Sequence, residues 1–215
     1  MLKTTSSVAI AGIVATLCAA AGTIGSAATG QESTSRPMVA KLTTTLVDAK
    51  LQSVAAEDPA RPGYMVAVLY IPGVQLLMIA GQCDAIDTLR ARLAANAYRD
   101  VYTDLHACSN PGSRLFIQDM SADGLGREPA RDGAPFDIVY EHMTRQTRFD
   151  GDFKGQDLSA EEYNRRFTTI DAEYARLLSV LFQHVSGESS ARPRERPSAP
   201  AVDRVLAREV QTYWP

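Results

Sequence analysis

The sequence predicts an α+β domain: an antiparallel, barrel-like sheet packed by a long C-terminal helix. Three observations predict it. Two apolar, β-rich runs at 64–71 and 74–80 are separated only by Pro72-Gly73, which is hairpin spacing. A second pair of β-rich runs, 136–142 and 144–149, has the same form. Beyond them Tyr163, Phe167, Ile170, Tyr174, Leu177, Leu181 and Val185 recur at helical spacing, the stripe of a core-facing helix.

Composition sets the outer bounds. The chain has 215 residues, 45% hydrophobic and 22% charged, which is ordinary for a soluble globular protein and excludes a wholly disordered, collagen-like or multi-span membrane chain. Net charge is −3, and the 18 Arg and 4 Lys are scattered, so no nucleic-acid partner is expected. Three Cys are too few for a disulfide-built scaffold.

The first 28 residues read as a signal peptide. Lys3 precedes an apolar run over 8–21, and Gly25, Ser26, Ala27 and Ala28 supply a small-residue site with cleavage after Ala28. The expected destination is the periplasm or the exterior. An uncleaved N-terminal segment would be the only membrane contact. Leu17 stands beside Cys18 where a lipobox carries a small residue. Cleavage leaves Cys83 and Cys108, either a disulfide of an oxidising compartment or two buried thiols. A bridge would be worth about 3 kcal/mol in the chain-entropy model.

Residues 29–37 read as a polar spacer, and 38–185 as a single α+β domain. Apolar positions at 39, 42, 46, 47, 51 and 54 predict a helix over 39–56, weakened by Thr43, Thr44 and Thr45. Neither strand of the first hairpin alternates, so both sheet faces should be covered. Asp84 is the expected cap of a helix reaching Ala97 through Ile86, Leu89 and Leu93. Residues 99–108 read as a third strand, 109–112 as a turn and 114–120 as a fourth strand. A long polar loop over 121–135 follows. Ser159 with Glu162 forms a capping box for the last core helix, and Leu158 with Tyr163 a hydrophobic staple. Residues 186–200 read as a disordered Pro/Arg linker, and 201–215 as a short amphipathic helix ending in Tyr213-Trp214-Pro215.

The chemical motifs are sparse. There is no Gly-x-Gly-x-x-Gly, no P-loop lysine, no Gly-x-Ser-x-Gly elbow and no His-Glu-x-x-His helix. On the expected third strand Asp104, His106 and Cys108 alternate, which would put them on one face and makes Asp104 and His106 the catalytic candidates. A disulfide at Cys108 would remove the nucleophile. Residues 150–161 resemble a calcium-binding loop, with Asp150, Asp152, Gly155 and Glu161 in place, but Lys154 and Leu158 occupy ligand positions. That stretch reads as a turn plus helix cap, and no metal site is expected. Glu128, Asp132, Asp137 and Glu141 read as solvated surface charge.

The order hairpin, helix, strand, turn, strand over 64–120 resembles the FMN-binding split barrel of the pyridoxamine 5′-phosphate oxidase-like proteins. The segment from Thr88 to Asn96 is similar to that family's link between barrel strands. The resemblance implies a split-barrel-like sheet, with Arg90, Arg92 and Arg114 as contacts for an FMN phosphate. Gln82, Cys83 and Asp84 stand where the family carries basic and hydroxyl phosphate ligands, so no cofactor is expected unless these three arginines suffice. The leading expectation is an exported, non-catalytic protein that binds a small ligand or an envelope protein. The rivals are a flavin- or haem-binding split-barrel oxidoreductase and an envelope structural or tethering protein that docks through its tail.

N-terminal sequencing of the exported protein should start at Thr29, and thiol counting under denaturing, non-reducing conditions should find no free thiol. Protein that keeps Met1 in the membrane pellet would sink the cleaved form, and two reactive thiols would sink the bridge.

Overall fold

Strands β2 (Tyr64–Ile71) and β3 (Gln75–Gln82) pair antiparallel around Pro72-Gly73, and the rest of the fold is built outward from this hairpin. The computed structural model describes residues 33–95, 98–108, 114–131, 133, 135–142 and 145–187. Strand β1 (Ser53–Glu57) pairs with β2 on one side. On the other, β4 (Leu115–Met120), β5 (Asp137–Glu141) and β6 (Arg145–Phe149) add in order. The result is a six-stranded, open antiparallel sheet in sequence order, with β1 and β6 as its edges.

Both faces of this sheet are covered, as the unbroken apolar runs require. Val66, Val68, Met78, Ile117, Val139 and Phe149 share a core with helices α1 (Arg36–Asp48) and α4 (Ala160–Ser186). Ala67, Leu69, Leu77, Ile79 and Phe116 share a second core with α2 (Ile86–Ala94) and α3 (Tyr98–Cys108). The register makes this two-sided. Val68, Met78, Ile117 and Val139 are cross-strand partners on one face, and Ala67, Ile79, Phe116 and Tyr140 on the other. Each fully buried large side chain contributes roughly 1.5–3 kcal/mol from leaving water.

Helix α4 follows its sequence pattern closely. Tyr163, Phe167, Ile170, Tyr174, Leu177 and Leu181 are all buried. Ser159 caps it, its Oγ accepting from the Glu162 N–H at 3.1 Å. The reciprocal half of the capping box is absent, because the Glu162 carboxylate turns to Arg145, Arg165 and Arg166. Leu158 and Tyr163 belong to the same core. Phe149 packs edge-on against Tyr163 and Phe167, with centroids 5.6 and 5.4 Å apart, and so fixes α4 over β6. Gly187, at φ +74°, ends the helix.

Three expectations are corrected. The helix over 39–56 is instead α1 ending at Asp48, followed by strand β1. Its stop is a Schellman turn in which Leu51 N–H donates to Leu46 O and Lys50 N–H to Val47 O. Lys50 takes the left-handed position at φ +57°, where glycine would have announced the turn. Residues 99–108 are helix α3 rather than a strand. Val101 and Leu105, four apart, are buried against the sheet, and this tertiary gain overrides the β preference of Val and Tyr. Asp84 does not cap α2, which begins after Ala85 with no side-chain cap.

Residues 33–37, assigned to the spacer from sequence, join the fold, since α1 starts at Arg36 and Ser33, Thr34 and Ser35 hydrogen-bond to Asp171. Residues 1–28 and 201–215, and the linker beyond Gly187, lie outside the described residues. Among the described residues no helix is long and apolar enough to cross a membrane.

Leu177 is fully buried under the sheet. Leu177→Ala should lower the unfolding free energy by about 2–5 kcal/mol in a urea titration. A loss under about 1 kcal/mol would show that α4 does not anchor this core.

Candidate functional site

The change of α3 from strand to helix redistributes the predicted catalytic face. On a helix, Asp104 and His106 point about 160° apart. Asp104 accepts an ion pair from Arg92 at 3.0 Å, and Arg92 also reaches Asp100 at 3.5 Å, so these three brace α2 against α3. Arg90 lies across the Glu57 carboxylate, with contacts of 3.1 and 2.9 Å. Two of the three predicted phosphate contacts are therefore already paired with carboxylates. The structure brings His106 to Arg114 instead. Arg114 is only 7% exposed and donates from Nη1 to the His106 carbonyl at 3.1 Å. Burial lowers the pKa of both, and the Arg114 charge lowers that of His106 further. The sequence held no signal for this pairing, since it depends on α3 running back toward β4. Cys83 is buried just past β3, while the side chain of Cys108 lies outside the described residues.

A cleft of about 290 Å³ opens where β1, α2 and the C-terminal half of α4 meet. Ala56, Pro59, Leu93 and Val180 supply its apolar lining, and Glu57, Arg90, Gln183 and His184 its polar groups. The volume lies near the lower end for small-molecule sites, about 300 Å³. Glu57 also accepts from the Gly63 N–H at 2.9 Å, so its carboxylate is held from two sides. None of Glu57, Gln183 or His184 was a site candidate from sequence, because the cleft forms only where β1, α2 and the end of α4 pack together.

Three buried carboxylates lie elsewhere and hold loop and chain-entry segments in place. Asp119 is fully buried at the end of β4. It accepts from the N–H groups of Asp123 and Gly124 and from the Tyr174 hydroxyl at 3.0 Å. Asp137 accepts from Met120 and Gly126 N–H, both at 2.8 Å. Asp171 of α4 accepts from the hydroxyls of Ser33, Thr34 and Ser35. The Ser35 hydroxyl in turn accepts from Leu125 N–H at 3.0 Å. Together they hold the turn at 120–126, in which Ser121, Ala122 and Gly124 all have positive φ. A Cβ on Gly124 would lie 2.5 Å from the Arg36 Cα, so only glycine fits. Asp137 is thus a buried structural acid, not the solvated surface charge expected of it.

Burial pushes Asp119 up to about 7. Burial and then the Asp119 charge push Asp137 up to about 8. Asp58 goes the other way. Burial raises its pKa, but hydrogen bonds from Arg176 and Arg61 prevail and hold it at about 2. In the stretch resembling a calcium loop, Asp150 and Asp152 face Arg148 at 3.5 and 3.9 Å, and Gln156 donates to Asp150. Among the described residues no three His, Cys, Asp or Glu side chains are grouped to hold a metal ion.

Because Asp119 and Asp137 have raised pKa values, the native state keeps protons that the unfolded chain releases. The stability this gives is full below the ordinary carboxylate pKa of 3.8 and is lost as pH rises through about 7 and about 8. Urea midpoints should fall between about pH 4 and about pH 8 and level off above that, and Asp137→Asn should flatten the fall. An unchanged slope in that variant would show that Asp137 is ionised throughout.

No protein-family model, curated protein or solved structure matches this chain.

Proposed function

We propose that this chain is an exported, non-catalytic ligand-binding protein whose ligand occupies the cleft between β1, α2 and α4. The observation that carries this reading is the lining of that cleft: Leu93 and Val180 beside the Glu57–Arg90 ion pair. Arg90 is more than half exposed. Such pairs are worth only about 0–1 kcal/mol, so a ligand carboxylate can take Arg90, or a ligand amine Glu57, at small cost. The apolar remainder of the ligand would lie on Leu93 and Val180. Shifted carboxylates usually mark catalytic sites. The two with raised pKa values, Asp119 and Asp137, spend their oxygens on backbone N–H groups and the Tyr174 hydroxyl, which supports binding over turnover.

A bridge from Cys83 to Cys108 belongs to the same reading. Cys83 is buried, and α3, which ends at Cys108, packs on β1, β2 and β3. The bridge would tie the helical excursion to β3 in an oxidising compartment.

Thermal-shift screening of small amphiphilic carboxylates and amines against the purified mature chain tests the proposal. Compounds that raise Tm should lose their effect in Val180→Arg, which fills the cleft, and weaken in Arg90→Ala. Hits indifferent to both variants, or a stoichiometric flavin absorbance band in the purified protein, would overturn it.

A further inference from the structure

Most arginines with a described ionic contact answer a carboxylate: Arg61 and Arg176 meet Asp58 and Glu173, Arg92 meets Asp104, and Arg166 meets Glu162. Arg114 breaks the pattern. It is more than nine-tenths buried, yet among the described residues no carboxylate pairs with it. Among the described residues its one hydrogen bond runs from Nη1 to the carbonyl of His106 in the last turn of α3. A cation is favoured there, because the free carbonyls make that helix end negative. This uses one of five donors, and the Nε–H is buried with no acceptor.

The nearby acids are committed or face away. Asp104 is taken by Arg92. Glu141 is the cross-strand partner of Leu115, which packs in the α1–α4 core, so Glu141 projects to that face. Arg114 precedes Leu115, and alternation sends it to the opposite face, toward α3. A guanidinium does not deprotonate in a protein, so the charge stays and asks for a counter-ion.

We propose that Arg114 anchors an oxyanion-binding site beside the C-terminal end of α3, gripping one carboxylate or phosphate group side-on through its Nε–Nη2 edge. With Nη1 turned to the helix, that edge offers two parallel N–H donors, the fork that matches both oxygens of such a group. The anion lies on the far side of the guanidinium from the helix carbonyls, which would repel it. Arg114, not the helix, is therefore the binding group. This site is separate from the cleft at β1 and stands without it.

The mature full chain is titrated calorimetrically with inorganic phosphate and, separately, with succinate, at constant ionic strength set by sodium chloride. One of the two should bind saturably, one per chain, and the stronger binder identifies the group. Arg114→Gln should weaken it at least about tenfold, as expected for loss of a charge-assisted bidentate pair. Arg114→Lys, which keeps the charge without the fork, should fall between, and it decides the matter if Arg114→Gln does not fold. Exposed Arg131→Gln should bind as wild type. Binding should also raise the pKa of His106, read from its ring proton shifts, because the anion offsets the Arg114 charge. Absence of saturable binding by either anion would overturn the proposal, as would wild-type affinity in Arg114→Lys.

Discussion

The constraint on which the structure depends is that the β2–β3 hairpin is apolar on both faces. Val66, Val68 and Met78 on one side and Ala67, Leu77 and Ile79 on the other are all buried, so one helical layer cannot shelter the sheet. The chain meets the demand with two. Helices α1 and α4, from opposite ends of the domain, close one face, and the α2–α3 excursion between β3 and β4 closes the other. Antiparallel sheets commonly leave one face wet. Here the long α4, carrying nine buried residues, and the short α2–α3 pair divide the work unequally.

Two helical layers create seams, and the buried polar groups sit at them. Asp171 ties Ser33, Thr34 and Ser35 to α4, so the entry to α1 is fixed against the helix that ends the domain. Asp119 and Asp137 hold the turn after β4, and Ser35 links that turn to the same entry point. The Asp58 cluster joins the β1–β2 connection to α4 through Arg61, Arg176 and Glu173. Buried acids that each accept several N–H or N⁺–H donors are satisfied, which is why they can stay buried.

Against this satisfied background, the two groups proposed to bind ligands differ in kind. The Glu57–Arg90 pair is complete but exposed, so it can exchange partners cheaply. Arg114 is buried and incomplete, so it gains from any anion that reaches it. The first suits a cleft that recognises amphiphilic molecules, the second a site for a single anionic group.

The sequence by itself determined the elements whose signals are local. Pro72-Gly73 set the first hairpin, and the strands 137–141 and 145–149 fall where the second was expected. The stripe from Tyr163 to Leu181, with Ser159 before it, determined α4 almost to the residue, because amphipathic spacing and capping act within one turn. The lack of alternation in β2 and β3 foretold a covered sheet. Only the tertiary structure decided the rest. Lys50 in a left-handed Schellman position split α1 from β1, since the core held a conformation that lysine itself does not favour. Val101 and Leu105 made α3 a helix by reaching the sheet, against their local preference. That single change separated Asp104 from His106 and brought His106 to Arg114. The candidate sites escaped the sequence for the same reason: Glu57 meets Arg90, and Arg114 meets α3, across separations that only the packed chain closes.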